Sequence, residues 1–341
     1  MKSLYLTAPR TLELREESIP TPRENEILVK VAYCGICTLE QRLFEGERTI
    51  HYPLVPGHEA SGTVVTVGSK VMTRVKRGDA VVLDLVNRCH ACAACHSGNS
   101  NLCENRYHKG QRILGAFTQY LVVRPEQVLV IPHTLPLEEA ALTEPLACCI
   151  RSIAKTNIGL GDTLLIAGAG TMGLLHAKVA LAMGVRVIMS DIDHDRLRVA
   201  KQIGVDFVVN ALDEKAFSDS VLAITGGALV DGCIITTEAV SAVATSIPVL
   251  APGGTLTIYT SYGNNPELPT DMNTIHRNEF TITGSEGREQ NDFFTAMRAL
   301  ANRKVVVDDL VSQIYAMNQA QEAIEHARSG KAYRILLRME E

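Results

Sequence analysis

The sequence predicts an α/β protein with two domains, one built from short β-strands and one built around a doubly wound parallel sheet. A chain of 341 residues has the length of two ordinary domains. Short β-like runs separated by turn residues fill residues 1–150. Strand-like and helix-like segments alternate over 151–289, which is typical of a parallel sheet with helices on both faces. A strand-like run at 334–338 follows a predicted helix at 292–302, so we expect 290–341 to return to the first domain, with the α/β domain as an insertion.

The predicted strands are short and apolar, and turn residues such as Gly78 and Asp79 bound them. In the first domain they are 27–33, 62–67, 80–85, 118–123 and 128–131. In the second domain they are 164–167, 186–190, 207–209, 232–235, 256–259 and 281–284. The helices predicted between these strands include 172–183 and 196–203.

Composition indicates a soluble globular protein. The chain is 46% hydrophobic and 21% charged, which suits large buried cores. A net charge of −5 gives no reason to expect nucleic acid or an acidic membrane surface as a partner. The N-terminus lacks the pattern of a secretory signal, and the most apolar stretch, 163–189, is broken by glycines and charges. Nine cysteines in such a chain indicate reduced thiols and metal ligands, so we expect a cytoplasmic protein.

Four closely spaced cysteines form a lobe over about 86–110. Cys89, Cys92, Cys95 and Cys103 have the spacing C-x2-C-x2-C-x7-C. Four thiolates at this spacing can enclose one zinc ion tetrahedrally, which makes a structural site with no open position. An iron–sulfur site is the alternative, but ferredoxin runs use a shorter last gap followed by proline. A nucleic-acid zinc module is a further alternative, and no basic stripe accompanies the lobe.

A glycine-rich turn predicts a dinucleotide site. Gly168, Gly170 and Gly173 form G-x-G-x-x-G between a predicted strand and a predicted helix. The first glycine permits the tight turn, the second lets the pyrophosphate approach the backbone, and the third lets helix and strand pack closely. The helix N-terminus offers free N–H groups to the phosphates, so the predicted contacts are Gly168, Gly170, Thr171, Met172 and Gly173. Asp191, at the end of the next strand, suits ribose hydroxyls and would repel a 2′-phosphate, which favours NAD over NADP. The alternative is a glycine turn that serves only packing.

A longer motif connects these features. Gly57-His58-Glu59 continues as G-H-E-x2-G-x5-G-x2-V, with Cys34 and Cys37 upstream and the cysteine lobe downstream. In this pattern the chain resembles, along its whole length, the zinc-containing medium-chain dehydrogenase/reductase superfamily. Glu-Pro-Leu at 144–146 resembles the polyol (sorbitol-type) and threonine dehydrogenase branch. The resemblance implies a GroES-like β domain with an inserted Rossmann domain.

The resemblance also implies roles for individual residues. Cys37 and His58 would be ligands of a catalytic zinc, Glu144 would be the third ligand directly or through water, and Glu59 would lie beside the metal as an exchangeable ligand. The four lobe cysteines would hold a structural zinc, which gives two zinc ions per chain. Arg196 would contact the adenosine ribose, and Arg334 would contact the pyrophosphate. The chemistry agrees, because hydride leaves a carbinol carbon readily only when the oxygen carries negative charge, which a zinc ion stabilises.

Two features leave alternatives open. Relatives place Ser or Thr two residues after the cysteine ligand to begin a proton relay, and this chain has Leu39 there. Thr38, Glu59, water or a substrate hydroxyl would then carry the proton. Glu40 is expected to orient the metal ligands. Cys34 and Cys37 form C-x2-C, so a redox pair is the alternative to a metal ligand.

The predicted function is oxidation of a secondary hydroxyl of a polyol, sugar alcohol or cyclitol by a zinc- and NAD-dependent dehydrogenase. An amino alcohol such as threonine is the alternative substrate, since 284–288 loosely resembles that branch. A protein that keeps zinc and NAD without turnover is the alternative of another class. The resemblance implies a homodimer or homotetramer that acts on a small molecule.

Overall fold

A computed structural model describes residues 1–47, 51–106, 115–263 and 265–340. The end of the predicted lobe, from residue 107, lies outside the described residues. The chain forms two compact units. The first comprises Met1–Ala147 together with Glu289–Glu341, and the second is Cys148–Arg288. Each unit has its own sheet and is described by itself.

The strands and helices follow one another in this order. The strands are β1 (Lys2–Ala8), β2 (Thr11–Glu16), β3 (Ile27–Ile36), β4 (Glu59–Val67), β5 (Ala80–Asp84), β6 (Tyr120–Val123), β7 (Val128–Val130), β8 (Thr163–Ala167), β9 (Arg186–Asp191), β10 (Phe207–Asn210), β11 (Val230–Ile235), β12 (Leu250–Ile258), β13 (Thr281–Gly284), β14 (Val311–Ala316) and β15 (Arg334–Arg338). The helices are α1 (Thr38–Glu45), α2 (Ala93–His96), α3 (Leu137–Ala140), α4 (Thr143–Thr156), α5 (Thr171–Ala182), α6 (His194–Gln202), α7 (Glu214–Thr225), α8 (Val240–Ser246), α9 (Met272–Asn278), α10 (Gln290–Ala301) and α11 (Ala320–Arg328).

The first unit is organised around β3. Its run Ile27-Leu28-Val29 is rich in residues that favour strands, and all three side chains are buried. One edge of β3 pairs antiparallel with β4, and the other edge pairs with β6 and β15. The sheet has the order β14-β15-β3-β4-β5-β7 within the described residues, and β1 and β2 form a separate hairpin. Because β15 pairs directly with β3, the end of the chain completes the sheet that its beginning starts.

The second unit is a parallel sheet in the order β10-β9-β8-β11-β12-β13. Every neighbouring pair in it is parallel. Counted from β8, this is the 3-2-1-4-5-6 order of a doubly wound dinucleotide-binding fold. All five residues of β8 are buried, as expected for a strand that is covered on both faces. The predicted fold class is confirmed.

The predicted elements are present with shifted ends, and some elements were missed. The helix after the glycine turn is Thr171–Ala182, one residue earlier than predicted at each end. The predicted strand at 118–123 begins only at Tyr120, because Thr118 makes an isolated bridge instead. Helix α1 and the β1–β2 hairpin were not predicted. In the described part of the chain, every helix is too short or too polar to cross a membrane.

Candidate metal and dinucleotide sites

Cys37 lies at the junction between β3 and α1. It is the N-cap of α1, and its Sγ accepts a hydrogen bond from the Leu39 N–H at 3.1 Å. Its own N–H donates to Glu40 Oε2 at 3.1 Å, which closes a reciprocal capping box. The thiol is therefore fixed by the backbone at a helix N-terminus, where a negative charge is stabilised.

His58 is oriented by Glu40. Its Nδ1 lies 2.7 Å from Glu40 Oε1, and the same oxygen accepts the Gly57 N–H at 3.2 Å. With Nδ1 occupied, Nε2 faces Cys37 Sγ at 3.5 Å. A zinc ion held tetrahedrally by sulfur at about 2.3 Å and nitrogen at about 2.05 Å would separate these atoms by about 3.6 Å. Glu40, the carboxylate that the sequence predicted to orient the metal ligands, is thus hydrogen-bonded to one of the candidate ligands.

Glu59 supplies a third candidate ligand. Cys37, His58 and Glu59 each offer one ligand atom, and these atoms lie within 4.8 Å of one another. Glu59 is 1% exposed, and its Oε2 has no hydrogen-bond partner among the described residues. A side-chain carbon on Gly35 would overlap this oxygen, so the glycine makes room for the carboxylate. A buried carboxylate oxygen without a partner, beside a thiol and an imidazole, fits a metal ligand.

Three further predicted residues lie near this cluster or next to it in the chain. Glu144 is buried at the start of α4 and acts electrostatically on Glu59, but it lies outside the group of three. Arg334 is buried on β15, where its Nη1 donates to the Ile36 carbonyl at 3.0 Å and lies 3.3 Å from Glu59 Oε1. Thr38 is the first residue of α1, and its side chain is exposed. Their roles as zinc ligand, pyrophosphate contact and proton carrier stay predictions.

The protonation of the cluster follows from burial and from its charges. Burial raises the pKa of Cys37 to about 12, with Glu40 adding to the rise and His58 opposing it. Burial alone would lower the pKa of His58, but Glu40 and Cys37 hold it well above its usual value. Burial raises the pKa of Glu59 to about 7, against the charge of Arg334. Because metals bind the deprotonated forms of these groups, metal binding would release protons here.

Cys34 differs from Cys37. It lies inside β3 with a fully buried side chain, whereas Cys37 is partly exposed, and burial raises the pKa of both thiols. Redox-active thiols need a stabilised thiolate and access to a partner. Both cysteines are free thiols in the structure. The burial of Cys34 therefore disfavours the redox-pair alternative.

The four lobe cysteines converge on one point. The ligand atoms of Cys89, Cys92, Cys95 and Cys103 lie within 4.8 Å of one another. Sγ of Cys89 is 3.9 Å from that of Cys95, and Sγ of Cys92 is 4.0 Å from that of Cys103. A tetrahedral zinc site with Zn–S distances of about 2.3 Å has sulfurs about 3.8 Å apart. A hydrogen bond from the Ala91 N–H is the main cause that lowers the pKa of Cys89 to about 5, whereas burial raises the pKa of Cys95 to about 12, so Cys89 is deprotonated more readily than Cys95. This arrangement fits a single closed zinc site.

The lobe is attached to the return segment of the first unit. Glu289, the N-cap of α10, accepts hydrogen bonds from the Ser100 hydroxyl and from the Asn101 N–H, the latter at 3.1 Å. Arg106 also donates to the Asn101 carbonyl at 2.7 Å. The lobe is thus hydrogen-bonded to the segment in which the chain re-enters this unit. The role of Glu289 was not predicted, because only the folded chain brings it to Ser100 and Asn101, which are far earlier in the sequence.

The glycine turn has the predicted strand–turn–helix geometry. Gly168 has φ of +108°, which favours glycine, and its N–H donates to the Ser190 carbonyl at 2.7 Å. A Cβ on residue 173 would overlap the Gly168 carbonyl oxygen, so Gly173 permits the close helix–strand approach. Space beside Gly170 is open, with Arg196 Nη1 3.8 Å from where a Cβ would lie. Thr236, which the sequence analysis missed, donates to the Gly168 carbonyl at 3.1 Å and braces the turn.

Asp191 is held in place beside this turn. Its Oδ2 accepts the Ala169 N–H at 2.7 Å, and its Oδ1 accepts the Asp193 N–H at 2.9 Å. Each carboxylate oxygen can accept a second bond, so the pair suits two neighbouring ribose hydroxyls. Asp193 also caps α6, which carries Arg196 in its first turn. The structure therefore brings Asp191, Arg196 and the glycine turn together.

Comparisons with known proteins agree with this geometry. The family "Alcohol dehydrogenase GroES-like domain" matches residues 23–133, and the family "Zinc-binding dehydrogenase" matches residues 171–302. A sorbitol dehydrogenase from Halalkalibacterium halodurans is 32% identical, over 99% of this chain and 99% of its own. An L-threonine 3-dehydrogenase from Pyrococcus abyssi is 31% identical, over 95% of this chain and 94% of its own. Among solved structures, an alcohol dehydrogenase from E. coli CFT073 in complex with NADH superimposes with a TM-score of 0.88 at 25% identity, covering 99% of each chain.

Proposed function

The chain belongs to the zinc-containing medium-chain dehydrogenase/reductase superfamily, in its polyol and threonine dehydrogenase branch, and we propose that it oxidises a secondary hydroxyl of a polyol, sugar alcohol or cyclitol to the ketone with NAD. The observation that carries this proposal is one cluster of a thiol, an imidazole and a carboxylate with one partnerless oxygen, in a chain that also has a dinucleotide turn. The likeness to sorbitol dehydrogenase supports the substrate class.

When bound, zinc supplies a Lewis acid that stabilises negative charge on the alcohol oxygen, and NAD supplies the hydride acceptor. We assign Cys37 and His58 as zinc ligands, because their separation suits tetrahedral coordination. We assign Glu59 or Glu144 as the third ligand. Glu59 belongs to the cluster of three, whereas Glu144 follows the pattern of the branch. Glu40, which is buried, holds the imidazole of His58 and the backbone N–H of Cys37.

The dinucleotide would be held by the second unit. N–H groups at the start of α5 would bind the phosphates, since the first helical turn leaves its amides without intrahelical partners. The hydroxyls of the adenosine ribose would bond to Asp191, whose two backbone bonds fix the carboxylate in advance. A 2′-phosphate would place negative charge beside this carboxylate, which supports NAD as the cofactor. We also propose that Arg196 contacts the ribose and that Arg334 contacts the pyrophosphate.

The test is metal analysis of the purified protein, combined with NADH formation over a panel of polyols, sugar alcohols, cyclitols and threonine. We expect two zinc ions per chain and activity that requires the catalytic one. Cys37→Ala should remove one zinc and abolish NADH formation. Cys34→Ala is the matched control, since it removes a neighbouring buried thiol that lies outside the cluster. If Cys37→Ala keeps both zinc ions, the ligand assignment is wrong.

The panel also separates the alternatives. Threonine is the second candidate substrate, because the relative from Pyrococcus abyssi is named for it and matches nearly as well as the sorbitol dehydrogenase. A higher kcat/KM for threonine than for every polyol would favour that reading. A protein that binds zinc and NAD without turnover would give two zinc ions, saturable NAD binding and no NADH with any member.

We also propose that the protein is cytoplasmic and forms a homodimer or homotetramer. Nine free thiols fit the reducing cytoplasm. Membership in this branch supports a homodimer or homotetramer, which light scattering of the zinc-loaded protein would measure.

A further inference from the structure

Several buried polar atoms of the second unit have no hydrogen-bond partner among the described residues, and three of these atoms belong to fully buried residues. They are Ser152 Oγ on α4, His176 Nε2 on α5 and Thr257 Oγ1 on β12. Each of the three residues is 0% exposed. Buried polar atoms in folded proteins almost always have a partner, and those that lack a protein partner commonly bond to internal water.

The register of the sheet, together with the packing of α4 on β11, places Ser152 and Thr257 at one level on one face. A Cβ on Gly232 of β11 would lie 3.4 Å from Thr156 Cβ, so the end of α4 packs over this part of β11. Two residues further along β11, Ile234 is the register partner of Thr257. That step is about 6.6 Å along a strand, and four residues of α-helix span about 6 Å. Since α4 runs antiparallel to the strands, Ser152 lies level with Ile234 and Thr257.

The antiparallel direction of α4 follows from its other contact. Cys149 Sγ lies 3.7 Å from the Met172 carbonyl, which is beyond the carboxyl end of β8. His176 Nδ1 bonds to the same carbonyl at 2.6 Å. Ser152 is therefore about one helical turn from this contact along α4, and His176 is one turn from it along α5.

His176 also belongs to the face that carries Thr257. Its ring lies edge-on to Tyr259, with centroids 4.7 Å apart. Tyr259 is one residue beyond β12, but its N–H still donates to the Ile235 carbonyl of β11 at 3.1 Å, so its side chain lies on the same face as that of Thr257, two residues earlier. The three partnerless atoms thus converge on the layer between α4, α5 and β12.

The chemistry of the three atoms is complementary to water. A carbonyl only accepts, so His176 Nδ1 carries the proton and the neutral ring presents Nε2 as an acceptor. The two hydroxyls can donate and accept. Two buried hydroxyls of this unit bond to helix carbonyls, that of Thr156 to Ile153 and that of Ser246 to Ala242, both at 2.6 Å. Ser152 lacks this bond, so its hydroxyl remains available.

We infer that Ser152, His176 and Thr257 hold one buried water molecule, which joins the helix of the glycine turn to α4 and to the centre of the sheet. The water donates one hydrogen bond to Nε2 and one to a hydroxyl oxygen, and it accepts one hydrogen bond from the other hydroxyl. All three orphan atoms are then satisfied, within the two to four bonds usual for internal water. Burial lowers the pKa of His176 to about 4, which agrees with a ring that stays neutral and accepts.

The sign of a stability change tests this inference in the full-length, zinc-loaded protein. Thr257→Val keeps the side-chain shape and removes the hydroxyl. If the hydroxyl bonds to water, the variant melts at a lower temperature; if it is truly unpartnered, removing it raises the melting temperature. Thr255→Val, two residues earlier on the same face of β12 and 7% exposed, controls for the exchange itself. Ser152→Ala should also lower the melting temperature, and the double variant should lose less than the two single losses together, since both hydroxyls bond to one water.

Two measurements do not depend on the variants. A high-resolution crystal structure should show a water peak within hydrogen-bonding distance of all three atoms. The 15N resonance of His176 Nε2 should be that of a hydrogen-bonded acceptor, and it should shift in Thr257→Val but not in Thr255→Val. A dry, empty space between the three side chains, or a stabilised Thr257→Val, would overturn the inference.

Discussion

Replacement of Glu40 by Gln tests how the candidate metal cluster is held. The carboxylate is buried and accepts from three donors, namely His58 Nδ1, the Gly57 N–H and the Cys37 N–H. Glutamine has almost the same shape but only one acceptor oxygen. If that oxygen serves His58 and Gly57, the new amide N–H2 faces the Cys37 N–H, and two donors oppose each other.

The expected loss follows from these contacts. The capping bond to Cys37 contributes about 1 kcal/mol, and exchanging a charged acceptor for a neutral one at His58 loses about 1 kcal/mol more. Both bonds orient the candidate zinc ligands. We therefore expect the substitution to destabilise the metal-bound form by the sum of the two losses, about 2 kcal/mol. This corresponds to roughly 30-fold weaker zinc binding, within the roughly 10- to 100-fold range seen when such supporting contacts are removed.

The assay is competition for zinc between the protein and a chelator of known affinity, with NADH formation measured in parallel. Glu45→Gln is the matched control. Glu45 is the last residue of the same helix, and it pairs with Arg10 and Arg328 away from the cluster. The control should bind zinc like the parent. An affinity of the Glu40 variant within about threefold of the parent would refute the orienting role.

Three further outcomes are expected. Gly173→Ala should lower the melting temperature, because its Cβ would overlap the Gly168 carbonyl; Gly170→Ala has open space, so it should melt like the parent but bind NAD more weakly by calorimetry. The pKa of His176 is lowered to about 4 in the folded protein, against 6.5 in the unfolded chain. The contribution of His176 to the free energy of unfolding is therefore fully present above pH 6.5 and is lost as the pH falls towards 4. This amounts to about 3 kcal/mol, and denaturant titrations of His176→Gln should lack it. Cys95→Ser should reduce the zinc content by one and destabilise the first unit while the other zinc remains, as elemental analysis and proteolysis would show.

The sequence predicted the second unit well because its signals are local. Apolar runs and the glycine turn have fixed spacings, and Gly168, Gly173 and Asp191 lie where those spacings place them. The cysteine lobe was predictable for the same reason, since its four ligands lie within fifteen residues.

The elements that were missed depend on signals that the sequence does not show. Helix α1 is capped by the thiol of Cys37, and cysteine is outside the usual set of N-cap residues. The hairpin of β1 and β2 has Arg10 at φ of +58°, where a turn normally signals itself with glycine or asparagine. The hydrogen bonds of Glu289 to the lobe join segments that are far apart in the chain.

The register of β3 and β4 explains why the candidate metal cluster depends on the pairing of these two strands. Gly35 is the register partner of Glu59, and Cys34 is the partner of Ala60. A slip of one residue would turn every side chain of a strand to the opposite face, so Glu59 would leave the cluster while Cys37 stayed on its helix cap. Gly35 adds a steric condition, because any side chain there would displace the carboxylate. The local motif around His58 therefore identifies the ligand types, but the pairing of two distant strands decides whether they meet. We therefore expect Gly35→Ala to lower the zinc affinity of the Cys37 cluster and to leave zinc binding by the lobe cysteines unchanged, although residue 35 has no side chain that could bind the metal.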